Sequence, residues 1–260
     1  MIVRLKFVYL AAIFLFLYAP IGVLMAQSFN ESRYRGHWTG FTFKWYDSLF
    51  ENEQIFDALQ NTVSIGIFSA GIATIIALIT CVALREFGKK PRAIFMGVAN
   101  IPILNADIVT GISLMLLFMG MGLKLGYGTI LLAHIVFNVP YVMLCIMPQF
   151  MSLDKSFYEA ALDLGASPFQ AFVKVILPEL RPGIFAGFLL AFTMSADDFI
   201  ITHFTKGAGV DTLPTEIYAE LKLGIHPEMY ALSTLVFFFV VIFVILFTMA
   251  RKRLADKEVF

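Results

Sequence analysis

The chain has 260 residues, 59% of them hydrophobic and only 15% charged, with a formal net charge of zero and a mean hydropathy of +0.82. Soluble domains carry ~25% charged residues, so this composition cannot coat a globule of this length, and lipid must cover much of the surface. The balanced charge argues against a nucleic-acid partner, which leaves a basic face, and the two cysteines, Cys81 and Cys145, lie inside apolar runs as small core residues rather than as a disulfide framework or a metal site.

A helix needs ~20 apolar residues to cross the hydrocarbon core. Six runs meet that rule, near 7–26, 62–84, 94–120, 129–150, 183–204 and 231–250. The first follows Arg4 and Lys6 as a signal peptide would. Its apolar run is longer than a signal h-region and no small-residue cleavage site follows, so it reads as a retained span. The expected fold is therefore all-α, a polytopic membrane protein with about six transmembrane helices in a single permease domain over 1–260.

Lys and Arg bias the connections about two to one toward the side that holds the N-terminus. The bias is strongest near span ends, at Arg85 to Arg92 and at Arg251 to Arg253, and Lys257 adds to it; Arg33, Arg35, Lys44, Lys124, Lys206 and Lys222 fall on the other side. Both termini are predicted to be cytoplasmic. Segment 27–61 is then external, and its Trp38, Trp45 and Tyr46 read as interfacial anchors.

Segment 151–182 is too polar to span yet full of helix signals. Ser156 and Glu159 have capping-box spacing. Gly165 can take the left-handed conformation that ends a helix. Ser167 and Pro168 form an N-cap and first-turn pair for a second short helix, and Pro178 limits its continuation. Two short helices around a glycine elbow are expected, lying in or near the cytoplasm.

Three carboxylates fall inside predicted spans: Asp107 near the middle of the third, Asp197 and Asp198 in the outer half of the fifth. A central Asp costs ~2.5–3.5 kcal/mol even on the lenient insertion scale, so such groups usually face the bundle interior or a water-filled path. No predicted span carries Lys or Arg near its centre, which leaves the carboxylates free for a cationic ligand; the alternative is a shorter fifth span that sets Asp197 and Asp198 above the hydrocarbon. Neighbours on a helix point ~100° apart, so one of Asp197 and Asp198 faces the path and the other is held by packing. Asn138 can hydrogen-bond across helices. Tyr141 offers a ring face to an ammonium, with packing as its alternative role, and His134 reads as a satisfied packing residue. Pro102 with Asn105 should break the third span just before Asp107, which is tolerated only where protein or a cavity covers the backbone.

The elbow, Glu159-Ala160-Ala161, then Gly165, then Val175-x-Leu177-Pro178, resembles the EAA motif of ABC importer permeases, with Val in place of the usual Ile. The resemblance implies a type I ABC importer permease fold in which this segment is the coupling helix seated on an ATPase subunit, with Glu159, Ala160, Ala161, Gly165, Leu177 and Pro178 as its coupling residues. No G-x-x-x-x-G-K-[ST] phosphate loop is present, so the chain is expected not to be an enzyme itself; ATP and Mg are expected on the partner.

Beyond that motif, Ser28-Phe29-Asn30, Ala106-Asp107-Ile108-Val109, Ile112-Ser113-Leu114, the run from Phe192 to Asp198, Leu213-Pro214 and Gly224-x-x-Pro227-Glu228 are similar, in order, to blocks of the spermidine/putrescine permease family. The resemblance implies import of polyamines into the cytoplasm across a bacterial inner membrane. It implies a second related permease subunit, an ATPase dimer and an extracytoplasmic binding protein as partners. Acidic residues line that family's substrate path, and Asp107, Asp197 and Asp198, with Asn138 and Tyr141, are the positions that can supply it here. His226 before Pro227 and Lys206 after the fifth span depart from the pattern and leave the particular amine open. The rival readings are a permease of the same architecture for another solute, such as another organic cation or an iron complex, a gradient-driven transporter acting alone, and a membrane scaffold without transport.

Overall fold

The computed structural model describes residues 2–33, 37–224 and 226–255. Arg35 and Lys257, counted in the charge bias, lie outside them. Every regular element among these residues is helical, and a single isolated bridge pairs Asn30 with Phe41. The chain divides into two compact units, one of residues up to Phe56 and from Ile217 onward, the other Asp57–Glu216.

In the first unit, α1 (Ile2–Ser28) packs on the C-terminal helix, Pro227–Ala255, which also meets α2 (Lys44–Glu51). The apolar stretch of α1 is exposed all along, Phe16 by 82%, as a helix surrounded by lipid or partner helices would be. The connection after α1 is wound around one side chain. Asn30 donates from Nδ2 to Gln27 Oε1 at 3.0 Å and to the His37 carbonyl at 2.8 Å, and its Oδ1 accepts from the Ser32 and Thr39 amides at 3.2 and 3.1 Å. Trp45 donates to the Asn30 carbonyl at 2.7 Å and is buried. Trp45 is thus a packed structural residue rather than an interfacial anchor, because its indole N–H has a backbone partner to reach inside the loop; Trp38 is exposed.

The second unit holds α3 (Glu53–Glu86) for most of its length, α4 (Lys89–Ala99), α5 (Ile101–Leu104), α6 (Asp107–Gly120), α7 (Tyr127–Ser152), α8 (Lys155–Asp163), α9 (Pro168–Ala171), α10 (Leu177–Ala196), α11 (Ile200–Thr205) and the start of α12 (Leu213–Leu223). The C-terminal helix is α13. Among the described residues, four helical stretches are long and apolar enough to span: Lys6–Ser28, Glu53–Glu86, Tyr127–Ser152 and Pro168–Ala196, with Asp107–Gly120 and Pro227–Ile242 apolar but shorter.

Two expected spans are therefore corrected. The third, 94–120, is broken into α4, α5 and α6, at Asn100 and at Asn105, which leaves the helix in an extended conformation with ψ 152°. Pro102 and Asn105 lie at this break, as the sequence suggests. The fifth, 183–204, stops at Ala196, and α11 restarts at Ile200. At its other end it begins earlier. Pro178 does not end the second short helix, because residues Phe172–Ile176 widen into a π turn that joins α9 to α10. The Leu177 amide bonds back to the Phe172 carbonyl, and the added residue makes room for a ring that would crowd the carbonyl four residues earlier in an α-helix.

The core of this unit is a stripe of small residues on α3, Ala70, Ala73, Ala77 and Cys81, closed by Leu84 and packed on Val142, Met143, Ile146 and Met147 of α7 and Ala191 of α10. Cys81 is fully buried, and Cys145 partly so. Helices α7 and α10 approach closely because α10 presents Gly183 and Gly187 to α7, a small-xxx-small pair. A Cβ on Gly187 would lie 2.9 Å from Val142 Cγ1, and one on Gly183 3.1 Å from the Cys145 carbonyl.

Gly187→Ile should force α7 and α10 apart, at a cost of ~1–3 kcal/mol or more for overpacking, read as a lowered melting temperature of the detergent-solubilised assembly. Asn30→Ala should expose Trp45, seen as a red shift of its fluorescence against a Trp38→Phe background.

Candidate functional site

Two groups of residues carry the chemistry. The first is the break between α10 and α11. Asp197 caps the end of α10, its amide bonded to the Thr193 carbonyl at 3.2 Å, and its side chain is exposed. Asp198 turns inward, its side chain 8% exposed. One of its oxygens accepts from the Ile201 amide at 3.2 Å; the other accepts from the Thr202 amide at 2.8 Å and the Thr202 hydroxyl at 2.9 Å. Asp198 thus caps the first turn of α11, where the orphan amides favour an anion. The two carboxylates do diverge, as expected, but because the helix is broken between them rather than by the 100° step of a continuous helix.

His134 of α7 completes this arrangement. It is 1% exposed. Nδ1 meets Ser195 Oγ at 2.5 Å, and Nε2 meets Thr202 Oγ1 at 2.9 Å and Asp198 Oδ2 at 3.3 Å. Ser195 Oγ is linked to Ser69 Oγ at 3.2 Å, and Asn138 donates to Ser69 Oγ at 3.3 Å. A buried chain of side chains therefore runs from α3 through α7 and α10 to α11. Asn138 is fully buried, and its Oδ1 has no partner among the described residues. The partner of Asp198 is thus a histidine on another span.

Asp107 opens α6 and is exposed. It lies within electrostatic reach of the Tyr141 hydroxyl. Helix α6 packs on α11, Gly111 lying against Ile200, Ile201 and Phe204. Tyr141 is half-buried against Phe137, ring centroids 5.1 Å apart. Along α7, Tyr141 and His134 are seven residues apart, a rise of ~10 Å at 1.5 Å per residue. Among the described residues no Lys or Arg pairs with Asp107, Asp197 or Asp198; Lys206 pairs with Asp211 and His226 with Glu220.

The second group is the elbow. Helix α8 is capped by Asp154, whose side chain accepts from the Ser156 amide at 2.9 Å. The cap is two residues earlier than the Ser156–Glu159 spacing suggests, because Asp154 Oδ1 reaches that amide first. Ser156 donors hold the Asp154 carboxyl below the usual carboxylate range, the backbone bond contributing most. Its contribution is present above the unfolded-state pKa and is lost as pH falls through the lowered folded value.

Gly165, at φ +88°, ends α8. Its amide bonds to the Leu162 carbonyl at 2.9 Å and that of Ala166 to Ala161 at 3.1 Å, the two bonds of a Schellman turn. Ser167 and Gln170 form the capping box that starts α9, with Pro168 in its first turn. Leu164 and Phe169, on either side of the elbow, are 89% and 76% exposed. Glu159 is exposed and lines a cleft of about 580 Å³ with Arg85, Glu86, Phe150, Tyr158 and Phe172. Ala160 is exposed, and Ala161, Leu177 and Pro178 are half-buried.

Comparison with known proteins places this geometry. Residues 71–257 match the family described as binding-protein-dependent transport system inner membrane component. The chain is 39% identical over 227 residues to the spermidine/putrescine transport system permease protein PotC of Escherichia coli strain K12, covering 87% of this chain and 86% of that protein. It is 37% identical over 230 residues to the putrescine transport system permease protein PotI of the same strain, covering 86% and 82%. A permease chain from the crystal structure of a bacterial ABC transporter that imports the acidic polysaccharide alginate shares the fold, with a TM-score of 0.72 at 18% identity over 96% of this chain and 95% of that one. The MetNI methionine ABC transporter matches with a TM-score of 0.59 at 18% identity, over 76% and 93%. This chain belongs to the family of inner membrane components of binding-protein-dependent transport systems.

Proposed function

We propose that the chain is a permease subunit of a type I ABC importer that moves polyamines, spermidine or putrescine, into the cytoplasm. It works as one permease domain, with about six spans when the broken α4–α6 segment and α13 are counted and both termini in the cytoplasm. Its partners are a second related permease, two ATPase subunits that hold ATP and Mg, and an extracytoplasmic binding protein. The observation that carries the cationic substrate is the pair of exposed carboxylates, Asp107 and Asp197, which have no Lys or Arg partner among the described residues. The identity to polyamine permeases supports the same substrate class.

A linear polyamine carries ammonium groups spaced along a flexible chain. Asp107 heads α6 and Asp197 ends α10, two separate positions that can take successive ammoniums rather than one. Each carboxylate replaces hydration water with a charge-assisted contact. Asp198, held by His134, shapes the corner; Tyr141 offers its ring face; Asn138, its amide oxygen unpartnered among the described residues, lies between His134 and Tyr141 on α7.

Coupling runs through the elbow. Exposed Leu164 and Phe169 present an apolar knob, and Glu159 a carboxylate, to an ATPase surface. The helix Pro168–Ala196 connects that elbow to the Asp197–Asp198 corner without interruption. A tilt imposed at Pro168 when the ATPases close on ATP is therefore delivered at the carboxylates. This is a direct mechanical route to alternating access.

In vesicles holding the assembled transporter, Asp107→Asn and Asp197→Asn should each raise the KM for radiolabelled spermidine or putrescine about tenfold or more, the loss of one charge-assisted contact of ~1.5–3 kcal/mol. ATP-dependent uptake with unchanged KM in both variants would remove the carboxylates from the path, and hydrolysis without uptake of either amine by the wild type would move the assignment to another solute. Gly165→Val, which costs ~1–2 kcal/mol at a left-handed position, and Glu159→Ala should lower substrate-stimulated ATP hydrolysis while leaving amine affinity unchanged.

A further inference from the structure

The break between α10 and α11 is closed by a single side chain from a third helix. Ser195 lies before the break, Asp198 within it and Thr202 after it. His134 contacts the first through Nδ1 and the other two through Nε2. We infer that His134 is a positioning residue for transport: by bridging the two sides of the break it fixes the corner at which Asp197 is presented.

The hydrogen bonds are consistent with that role. Thr202 donates its hydroxyl to Asp198, so its oxygen is left to accept, and Nε2–H is the donor. Nδ1 then accepts from the Ser195 hydroxyl, Ser195 accepts from Ser69, and Ser69 accepts from Asn138. The Ser69 hydroxyl lies within reach of both the Ser195 hydroxyl and the Gly66 carbonyl, at 3.2 and 3.3 Å. The imidazole reaches both sides at once, because its nitrogens lie on opposite edges of one rigid ring. A glutamine offers its oxygen and nitrogen from a single terminal carbon and can serve one side of the break.

The surroundings leave the clamp little freedom. Ile201 and Thr202 are fully buried, and Ile201 packs with Ala133 and Phe137 of α7 and Phe118 of α6. Thr205, at the far end of α11, is also fully buried, and its carbonyl accepts from Thr129 at 2.8 Å. Asp197 sits between the two clamped sides with its carboxylate outward. Without the imidazole, Asp198 loses its hydrogen-bond donor on α7, α11 can lift from α6 and α7, and Asp197 loses its fixed place.

The transport arm of the test rests on the polyamine reading; the labelling arm does not. In the complete transporter reconstituted in vesicles, His134→Phe should raise the KM for spermidine about tenfold while the maximal rate and ATP hydrolysis stay near wild type, because misplacing a binding group by ~1 Å is enough for such losses. His134→Gln, which keeps one side of the bridge, should give a clearly smaller rise. In a Cys81→Ala, Cys145→Ser background, a Thr205→Cys probe should react with a small methanethiosulfonate about fivefold faster when His134→Phe is added, since a lifted α11 opens a fully buried site. An unchanged labelling rate, or a loss of maximal rate at unchanged KM, would overturn the positioning role. If the wild type imports no amine, the polyamine reading falls on its own, and the labelling rates still decide whether His134 holds the corner.

Discussion

The second unit depends on one buried contact, the imidazole of His134 against the carboxylate of Asp198. In hydrocarbon an unpartnered carboxylate or a free helix end costs several kcal/mol, so a helix can be broken at membrane depth only if its loose amides and any charge placed there are partnered. Asp198 takes both amides at the start of α11, and His134 takes Asp198. That economy lets the chain place a second carboxylate, Asp197, beside the first and leave it outward.

The remaining packing serves the same corner. Gly183 and Gly187 bring α10 against α7, which puts Ser195 within reach of His134. The alanine stripe of α3 lies on the same helices and delivers Ser69 to Ser195 and Asn138. Gly111 lets α6 lie close on α11, and Asp107 heads that helix. At the opposite end of the Pro168–Ala196 stretch, the π turn allows the elbow to continue into the span despite Pro178. One continuous helical stretch thus joins a surface elbow to the carboxylates, which is what an importer driven from outside its own chain requires.

Much of this was legible in the residues. Hydropathy located the long helices, since a run of apolar side chains needs no knowledge of its neighbours to be recognised. Pro102 and Asn105 marked the broken third span, and Gly165, Ser167 and Pro168 marked the elbow, because caps and left-handed turns are local chemistry. The break after Ala196 is marked only weakly in the sequence, as the shorter fifth span that would set Asp197 and Asp198 above the hydrocarbon: a window averaged over 183–204 stays apolar, and the capping that starts α11 depends on Asp198 turning inward. The partner of Asp198 was hidden. His134 and Ser195 are 61 residues apart, and no spacing rule pairs a lone histidine on one span with a serine and an aspartate on another. Trp45 was misread for a similar reason, since its role rests on an Asn30 carbonyl that only the folded loop presents. Asp154 displaced Ser156 as a cap by simple proximity to the amide.

The central claim is that Asp107 and Asp197 receive the cation while Asp198 stays bound to His134. A cryo-electron microscopy structure of the assembled transporter trapped with spermidine tests it most directly. The expected map shows ammonium nitrogens in hydrogen-bond contact with the Asp107 and Asp197 carboxylates and the His134–Asp198 contact intact. An amine seated on Asp198 with His134 displaced, or one that passes neither Asp107 nor Asp197, would contradict it.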